Sequence, residues 1–221
     1  MDAPDIKDNT RDELTMNEDR DTQRLEAFSD GVFAIAITLL VLEVKVPGHG
    51  VVAAHGLAYS LLAQWPSYLA YITSFVTILV IWVKHHLMFS LIRRTDHLFL
   101  YWNGLLLFFV TFLPFPTAFL AEYLLRPDAR VAASLYTGTV LAISLAFDGL
   151  WRYASKKEGL LAEEATGAGR MEAAQITKQY RFGPPLYLAA FGLSFVSESA
   201  SIILCLFFAL FFAIERSPKK L

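Results

Sequence analysis

Long apolar blocks separated by short polar connections run through the sequence. An α-helix rises about 1.5 Å per residue, so roughly 20 apolar residues cross the ~30 Å hydrocarbon core of a bilayer. The pattern therefore predicts an all-α, polytopic membrane protein with six transmembrane helices. Their approximate ranges are 25–46, 66–86, 98–120, 131–153, 184–197 and 199–214. Together they form a transmembrane domain at 24–216, between an acidic tail at 1–23 and a short tail at 217–221.

Two of the apolar blocks contain interruptions. The block at 182–214 is long enough for one overlong helix or for two short ones. The letters V-S-E-S-A-S at 196–201 favour two, because a Glu between serines is unfavourable in mid-bilayer and suits a turn with a helix N-cap. In the third span, Pro114 and Pro116 predict a bend or an unwound segment, since proline cannot continue the hydrogen bonds of a helix.

The connections differ in length and polarity. Residues 51–64 are apolar but small and interrupted by His55 and Gly56, which predicts a short interfacial helix or a loop. Residues 155–181 form the one long polar connection, and we expect amphipathic helical stretches in it. The acidic segment at 1–23 has almost no large apolar side chains, so we expect a solvated tail that is disordered or loosely helical.

Lysine and arginine are distributed unevenly between the two expected sides of the membrane. All of them except Lys45, Arg126 and Arg130 fall in the N-terminal tail, the second and fourth connections or the C-terminus. Cytoplasmic segments of membrane proteins carry an excess of these residues. The distribution favours an even number of spans with both termini in the cytoplasm, because a five-span chain would place its basic C-terminus outside.

Composition supports the membrane class and excludes several others. Hydrophobic residues make up 55% of the 221 and charged residues only 18%, with a mean hydropathy of +0.44. The net charge of −2 gives no reason to expect a nucleic-acid partner. The single Cys205 rules out an internal disulfide framework and a cysteine metal site. No G-x-S-x-G, H-E-x-x-H or paired intramembrane aspartates occur, so we expect no enzyme and no bound cofactor.

The first span carries polar residues where a plain anchor would have none. Arg24, Ser29 and Asp30 stand at the entry to an apolar run that is otherwise interrupted only by Thr38. An ionisable residue at the edge of a membrane helix indicates function, because its unpaired burial costs several kcal/mol. Deeper in the helix, one stripe recurs at i, i+3, i+4 and i+7. The stripe consists of Ile35, Thr38, Leu39 and Leu42.

The spacing alone leaves two interpretations of that stripe open. It packs against neighbouring helices or lipid, or several copies of it meet on a symmetry axis and line a pore. In a pore, apolar rings gate by constriction and dewetting, while a ring of Thr hydroxyls coordinates a partly dehydrated ion.

A family resemblance favours the pore. Arg24, three residues, Phe28-Ser29-Asp30 and then G-V-F-A-I-A-I-T-L-L-V-L-E resemble the first-helix signature of the lysosomal and endosomal transmembrane potassium channels and their prokaryotic relatives. The length of this chain is similar to the prokaryotic one-repeat form. The resemblance implies a homotetramer in a bilayer, here a prokaryotic plasma membrane, with the first helices around a K⁺-preferring path that also admits other monovalent cations. Ile35, Leu39 and Leu42 would be the constriction residues, and Thr38 would bind K⁺ transiently.

The polar residues at the helix entry are expected to pair with other helices. Arg24 and Asp30 cannot face each other on an ideal helix. Their candidate partners are His85 or His86 in W-V-K-H-H and Trp102 and Asn103 in L-Y-W-N. The resemblance implies a hydrogen-bonded network that ties the first helix to the next two, and it includes Phe28 and Ser29. We favour such a structural lock over a proton-handling site, because buried ionised groups persist only when paired.

Two further alternatives stay open from the sequence. Glu43 ends the first span, where a carboxylate ring at a pore mouth would concentrate cations, or where it would simply pair with Lys45. The second functional hypothesis is a proton- or cation-coupled secondary transporter that uses Asp30 with His85 or His86 as a relay. Nothing like the T-V-G-Y-G carbonyl filter occurs in the sequence, so K⁺ selection must take another route.

Overall fold

The computed structural model describes residues 6–157, 159–161, 177–178 and 180–214, with side chains from residue 20 onward. Apart from one isolated β-bridge between Ile92 and Leu161, the regular structure in these ranges is helical. Its α-helices are α1 (Ile6–Leu39), α2 (His49–His55), α3 (Leu57–Leu62), α4 (Trp65–Phe89), α5 (His97–Phe112), α6 (Pro114–Tyr123), α7 (Ala129–Lys156), α8 (Gly183–Ser194) and α9 (Glu198–Ile214).

The first helix is longer than the first predicted span. It begins at Ile6 and has 34 residues, which corresponds to about 51 Å. Residues 6–23, expected to be disordered or loosely helical, are therefore continuous with the membrane helix in backbone conformation. A short 3₁₀ helix, Leu40–Glu43, follows α1 and ends before Pro47.

Within the described ranges, four helical stretches are long and apolar enough to cross a membrane. They are Arg20–Glu43, Trp65–Phe89, His97–Tyr123 and Ala129–Lys156. The apolar helices α8 and α9 have 12 and 17 residues, or about 18 and 26 Å, which is short for a full crossing. The chain is thus an all-α integral membrane protein whose described residues contain four candidate spans by length and composition, and the count of six stays a prediction.

The third span is broken at the predicted prolines. The helix α5 ends at Phe112 and α6 begins at Pro114. Pro114 has no N–H to donate, so the Val110 carbonyl accepts instead from Leu113 N at 3.2 Å, in a tighter turn. The Thr117 hydroxyl donates to the Leu113 carbonyl at 2.8 Å, which adds a hydrogen bond at the same place.

The polar connections differ in how much of them is described. Residues 49–62 form α2 and α3, two short helices where we expected one short helix or a loop. In the long connection, Arg93 N donates to the Leu160 carbonyl at 2.9 Å. The amphipathic stretches expected in this connection lie outside the described residues.

Asp96 ties the start of α5 to the end of α7. Its Oδ1 accepts from Phe99 N at 2.8 Å, as an N-cap should, while its Oδ2 accepts from the Tyr153 hydroxyl at 2.5 Å and from the Lys157 ammonium. Partial burial raises the pKa of Asp96, but the hydrogen bonds from Lys157, Tyr153 and Phe99 outweigh it and lower the pKa from 3.8 to about 2. The hydrogen bond to Asp96 in turn raises the pKa of Lys157.

The long helix α7 lies at the centre of the packing and α1 at its edge. Helix α7 packs against α5, α6, α8 and α9, and buries Tyr136 and Trp151 completely.

Helix α1 contacts α4 and α5. Its buried face has the helical spacing i, i+4, i+7 and i+11, and consists of Ser29, Phe33, Ala36 and Leu40. The opposite face of α1 is left uncovered by the rest of the chain.

Candidate functional site

The uncovered face of α1, continued by the 3₁₀ helix, contains the whole predicted stripe. Ile35 is 59% exposed, Leu39 42% and Leu42 62%, and Thr38 is exposed between them. Each of these positions is out of phase with the buried face, because successive residues of an α-helix are about 100° apart. The chain therefore presents an apolar surface with one hydroxyl layer to whatever lies next to α1, whether lipid or another copy.

The Thr38 hydroxyl is oriented by its own helix. It donates to the Ile35 carbonyl at 2.8 Å, the usual bond of a helical threonine to the preceding turn. A hydroxyl has one proton and two lone pairs. Since the proton is engaged along the helix, the oxygen lone pairs are available on the exposed side, where they can accept a hydrogen bond or bind a cation.

Glu43 lies beside Lys45 at the end of the 3₁₀ helix. Its side chain is only 17% exposed, and its Oε2 is 3.8 Å from the Lys45 Nζ. The ammonium also donates to the Leu42 carbonyl at 3.1 Å. Of the two interpretations made from the sequence, the structure contains the pairing with Lys45, which reduces the charge that Glu43 presents at this end of the helix.

Three helices meet in a buried polar network. The Asn103 Nδ2 on α5 donates to the Ser29 hydroxyl on α1 at 3.0 Å, and the Asn103 Oδ1 lies 2.9 Å from the His85 Nε2 on α4. All three side chains are 0–1% exposed. The Ser29 hydroxyl donates to the Leu25 carbonyl at 2.9 Å in its own helix. Of the residues predicted for a network, these three are brought together.

The amide orientation determines the tautomer of His85. Since the Asn103 amide nitrogen donates to Ser29, its oxygen faces His85, whose Nε2 must carry the proton. The Nδ1 is then an acceptor, and it is buried without a hydrogen-bond partner in the described part of the chain. The ring is held by Phe89, with centroids 4.4 Å apart, and by Phe33 at 5.2 Å. Aromatic packing and one hydrogen bond together thus hold the imidazole in place.

Two additional pairs join α1 to α4 beside the network. The Trp82 indole N–H donates to the Asp30 Oδ1 at 2.8 Å, and the His86 Nδ1 lies 2.8 Å from the Glu26 Oε1. The expected pairing of Asp30 with His85 or His86 does not occur. Neither Trp82 nor Glu26 was a candidate in the sequence analysis. The sequence contains a signal for both residues. Glu26 and Asp30 are four residues apart on one helix, and Trp82 and His86 are four residues apart on the other. Two antiparallel helices with this spacing can form two side-chain pairs, one helical turn apart.

Three residues expected in the network lie outside it. Arg24 is mostly exposed, and its guanidinium is 4.0 Å from Asp21 on the same helix. Arg24 is five positions from Ser29, hence about 140° around the helix, which directs it away from α4 and α5. Phe28 is one position from Ser29, hence about 100° around the helix, and it is 64% exposed. Trp102 packs on Gly149 of α7, where an added Cβ would lie 2.5 Å from its ring.

Comparisons with known proteins agree on one family. A family model described as endosomal/lysosomal potassium channel TMEM175 matches residues 24–114, so the match begins at Arg24. A potassium channel of Chamaesiphon minutus is 61% identical over 200 residues, covering 90% of this chain and 97% of the relative. A potassium channel of Streptomyces collinus is 42% identical over 199 residues, covering 88% and 93%.

A solved structure has the same fold. The crystal structure of a lysosomal potassium-selective channel TMEM175 homolog from Chamaesiphon minutus superposes with a TM-score of 0.81 at 58% identity, covering 90% of this chain and all of that one. Identity of this level over nearly the full length of both proteins shows common descent. The chain therefore belongs to the endosomal/lysosomal potassium channel TMEM175 family.

Proposed function

We propose that this protein is a potassium-preferring cation channel that conducts passively through a central pore. In this proposal four copies form a homotetramer in a prokaryotic plasma membrane, and the exposed face of α1 from each copy surrounds the axis. The chain crosses the membrane six times if α8 and α9 each traverse it as a short helix, with both termini in the cytoplasm. The permeant ion is K⁺, and no bound cofactor is needed.

The observation that carries this proposal is the division of α1 into two faces. One face is fixed to α4 and α5 by buried hydrogen bonds, and the other presents aliphatic side chains and a hydroxyl to the outside of the protomer. A helix that served only as a lipid anchor would not need a polar network to fix its rotation. Rotation by one residue, about 100°, would replace Ile35 by Ala36 on the outer face, so the network keeps the large side chains directed outward.

Conduction through such a face needs no chemistry beyond constriction and partial coordination. Rings of Ile35, Leu39 and Leu42 would narrow the path and expel water, which gates an ion by the cost of its dehydration. The Thr38 hydroxyl oxygens, with their lone pairs free, would replace part of the lost hydration shell. At the end of the path, Glu43 would favour cations, although its pairing with Lys45 makes that effect weaker than that of a free carboxylate.

The alternative is a coupled transporter with Asp30 and a histidine as a proton relay. The contacts of these residues argue against it. Asp30 accepts from an indole N–H, which does not exchange a proton along a relay, and the His85 Nε2 faces an amide oxygen. His86 contacts Glu26 on the exposed side of the helix pair. These contacts are those of a structural lock and support the channel.

The test is a planar-bilayer recording of the purified protein with K⁺ on one side and Na⁺ on the other. We expect a current that reverses towards the K⁺ equilibrium potential. Ile35→Asn should increase the leak, and Thr38→Ala should shift the reversal potential towards zero. Thr111→Ala is a matched control, because Thr111 is also exposed and donates to the carbonyl three residues earlier.

Two outcomes would contradict the proposal. If Thr38→Ala and Thr111→Ala behave alike and Ile35→Asn leaves the current unchanged, the exposed face of α1 does not line the path. If flux saturates and moves protons stoichiometrically, and Asp30→Asn abolishes it although the amide still offers an acceptor to Trp82, the transporter is the correct assignment.

A further inference from the structure

A second surface, at the start of α8, carries charge that the proposed function does not use. Lys178, Arg181, Phe182 and Pro185 lie close together where the chain enters α8: Lys178 is helical, Arg181 and Phe182 form a turn, and Pro185 is in the first turn of α8. Together with Thr177 they line a shallow cleft. Both cations are exposed, and Phe182 is 56% exposed.

The other side of this segment is anchored firmly. The Tyr180 ring packs edge-on against Phe147 and Trp151, with centroids 4.9 and 5.7 Å apart, and its hydroxyl donates to the Lys84 carbonyl at 3.2 Å. The Trp151 Nε1 donates to the Thr177 hydroxyl at 2.9 Å. The backbone that carries Lys178 and Arg181 is thus anchored by Thr177 and Tyr180, and these anchoring contacts do not involve the two charges.

Within the part of the chain that the structure describes, no acidic side chain pairs with these two charges. Neither Lys178 nor Arg181 forms an ion pair with any residue in the described ranges. Residues 177–197 contain no Asp or Glu. Two neighbouring positive charges on a fixed backbone are a site for an anion, and Arg in particular matches the geometry of a phosphate.

The surface beyond the charges is apolar and has a defined length. After Phe182, the exposed side of α8 continues through Pro185 and Leu188, the latter 56% exposed. The helix is about 18 Å long. That length is close to one leaflet of the bilayer, which is half of the ~30 Å hydrocarbon core. Phe182 lies between the charged and the apolar part of the surface.

We propose that this face binds an anionic phospholipid, with its phosphate on Lys178 and Arg181 and an acyl chain along Pro185 and Leu188. A free phosphate would use only the two cations, whereas a phospholipid uses both parts of the surface. The proposal concerns a lipid site on the outside of the protomer and is independent of the ion path.

The experiment measures binding of two short-chain lipids to the full-length protein in a neutral detergent. Dihexanoyl phosphatidylglycerol is the anionic probe, dihexanoyl phosphatidylcholine is its zwitterionic counterpart, and inorganic phosphate is tested alone. We expect the anionic lipid to raise the unfolding temperature most. Each cation near a membrane surface contributes about a fivefold change in affinity, so Lys178→Gln with Arg181→Gln should weaken binding roughly 30-fold.

Controls distinguish this site from a general effect of charge. Lys156→Gln removes one exposed cation at the end of α7 and should leave lipid binding unchanged. The single variants should each lose about fivefold, which keeps the test valid if the double variant fails to fold. Leu188→Gln should weaken binding of the anionic lipid and leave binding of inorganic phosphate unchanged.

Several results would overturn the proposal. Equal stabilisation by both lipids, or equal losses in Lys156→Gln and Lys178→Gln, would mean that no specific site exists. Stabilisation by inorganic phosphate as strong as that by the anionic lipid would make the site a free-phosphate site. A change in oligomer mass on Arg181→Gln without a change in lipid binding would mean that a second copy of the chain covers this face.

Discussion

Replacing Asn103 by leucine removes the two hydrogen bonds by which α5 is joined to Ser29 on α1 and to His85 on α4. The amide donates to Ser29 at 3.0 Å and its oxygen is 2.9 Å from the His85 Nε2, and all three groups are buried. Leucine has a similar volume, so the change leaves little empty space. Hydrogen bonds between membrane helices contribute about 0.6 kcal/mol on average and about 1.7 at most. Two lost bonds therefore predict a loss of about 1–3 kcal/mol.

A double-mutant cycle isolates one of these bonds. Ser29→Ala removes the acceptor for the Asn103 amide, which should lower the free energy of unfolding by about 0.6–1.7 kcal/mol. Because the double variant loses the shared bond only once, it should be less destabilised than the sum of the two single variants, by about the energy of that bond. Ser90→Ala is the control, since that exposed serine donates to the Leu87 carbonyl of its own helix and has no hydrogen bond to another helix in the described ranges.

The assay is SDS-induced unfolding in mixed micelles, followed by tryptophan fluorescence. Trp82 on α4 reports on the contact between α1 and α4, because its indole N–H donates to Asp30 on α1. Energies that add within about 0.5 kcal/mol would mean that Ser29 and Asn103 do not interact. An Asn103→Leu variant as stable as the wild type would mean that the network does not hold the helices together.

Two further predictions concern the cohesion of α5 and α7. The pKa of Asp96 is lower in the folded protein than in the unfolded chain, so its contribution is complete above about pH 4 and is lost as the pH falls towards about 2. Asp96→Asn keeps the N-cap but loses the charge, so it should lower the melting temperature at neutral pH. The difference in melting temperature from wild type should vanish in melts near pH 2. A difference that stays constant across pH would contradict the role of the Lys157 contact. Gly149→Ala should destabilise, because the added Cβ would lie 2.5 Å from the Trp102 ring, whereas Gly192→Ala, with nothing within 4 Å, should gain up to about 1 kcal/mol from helix propensity. Equal melting temperatures of the two glycine variants would contradict the close packing of α5 on α7.

Local pattern was enough to locate the break in the third span and the boundary between the last two helices. The apolar blocks give the all-α membrane class, and the prolines after Leu113 mark the break between α5 and α6, because a missing N–H acts within one turn. The letters V-S-E-S-A-S likewise separate α8 from α9, and Ser197 accepts from Ala200 N at 3.3 Å at the start of α9. These features depend only on neighbours in sequence.

Partner choice across helices could not be predicted from the same pattern. Asp30 pairs with Trp82 and not with a histidine, because the antiparallel register of α1 and α4 sets which side chains face each other. Arg24 belongs to the recognised signature, yet its helical phase directs it outward to Asp21. Register and rotation result from packing over the whole interface, and no short stretch of sequence contains that information.

The change from α to 3₁₀ winding after Leu39 alters how the last two leucine side chains of the stripe stand above one another. In an α-helix, residues three apart are offset by about 60°, whereas in a 3₁₀ helix they eclipse and are about 6 Å apart along the axis. Leu42 within Leu40–Glu43 is therefore aligned almost vertically with Leu39. In the proposed tetramer both leucines would then face the axis to the same extent, so that two successive hydrophobic rings, about 6 Å apart, would each exclude water from the path.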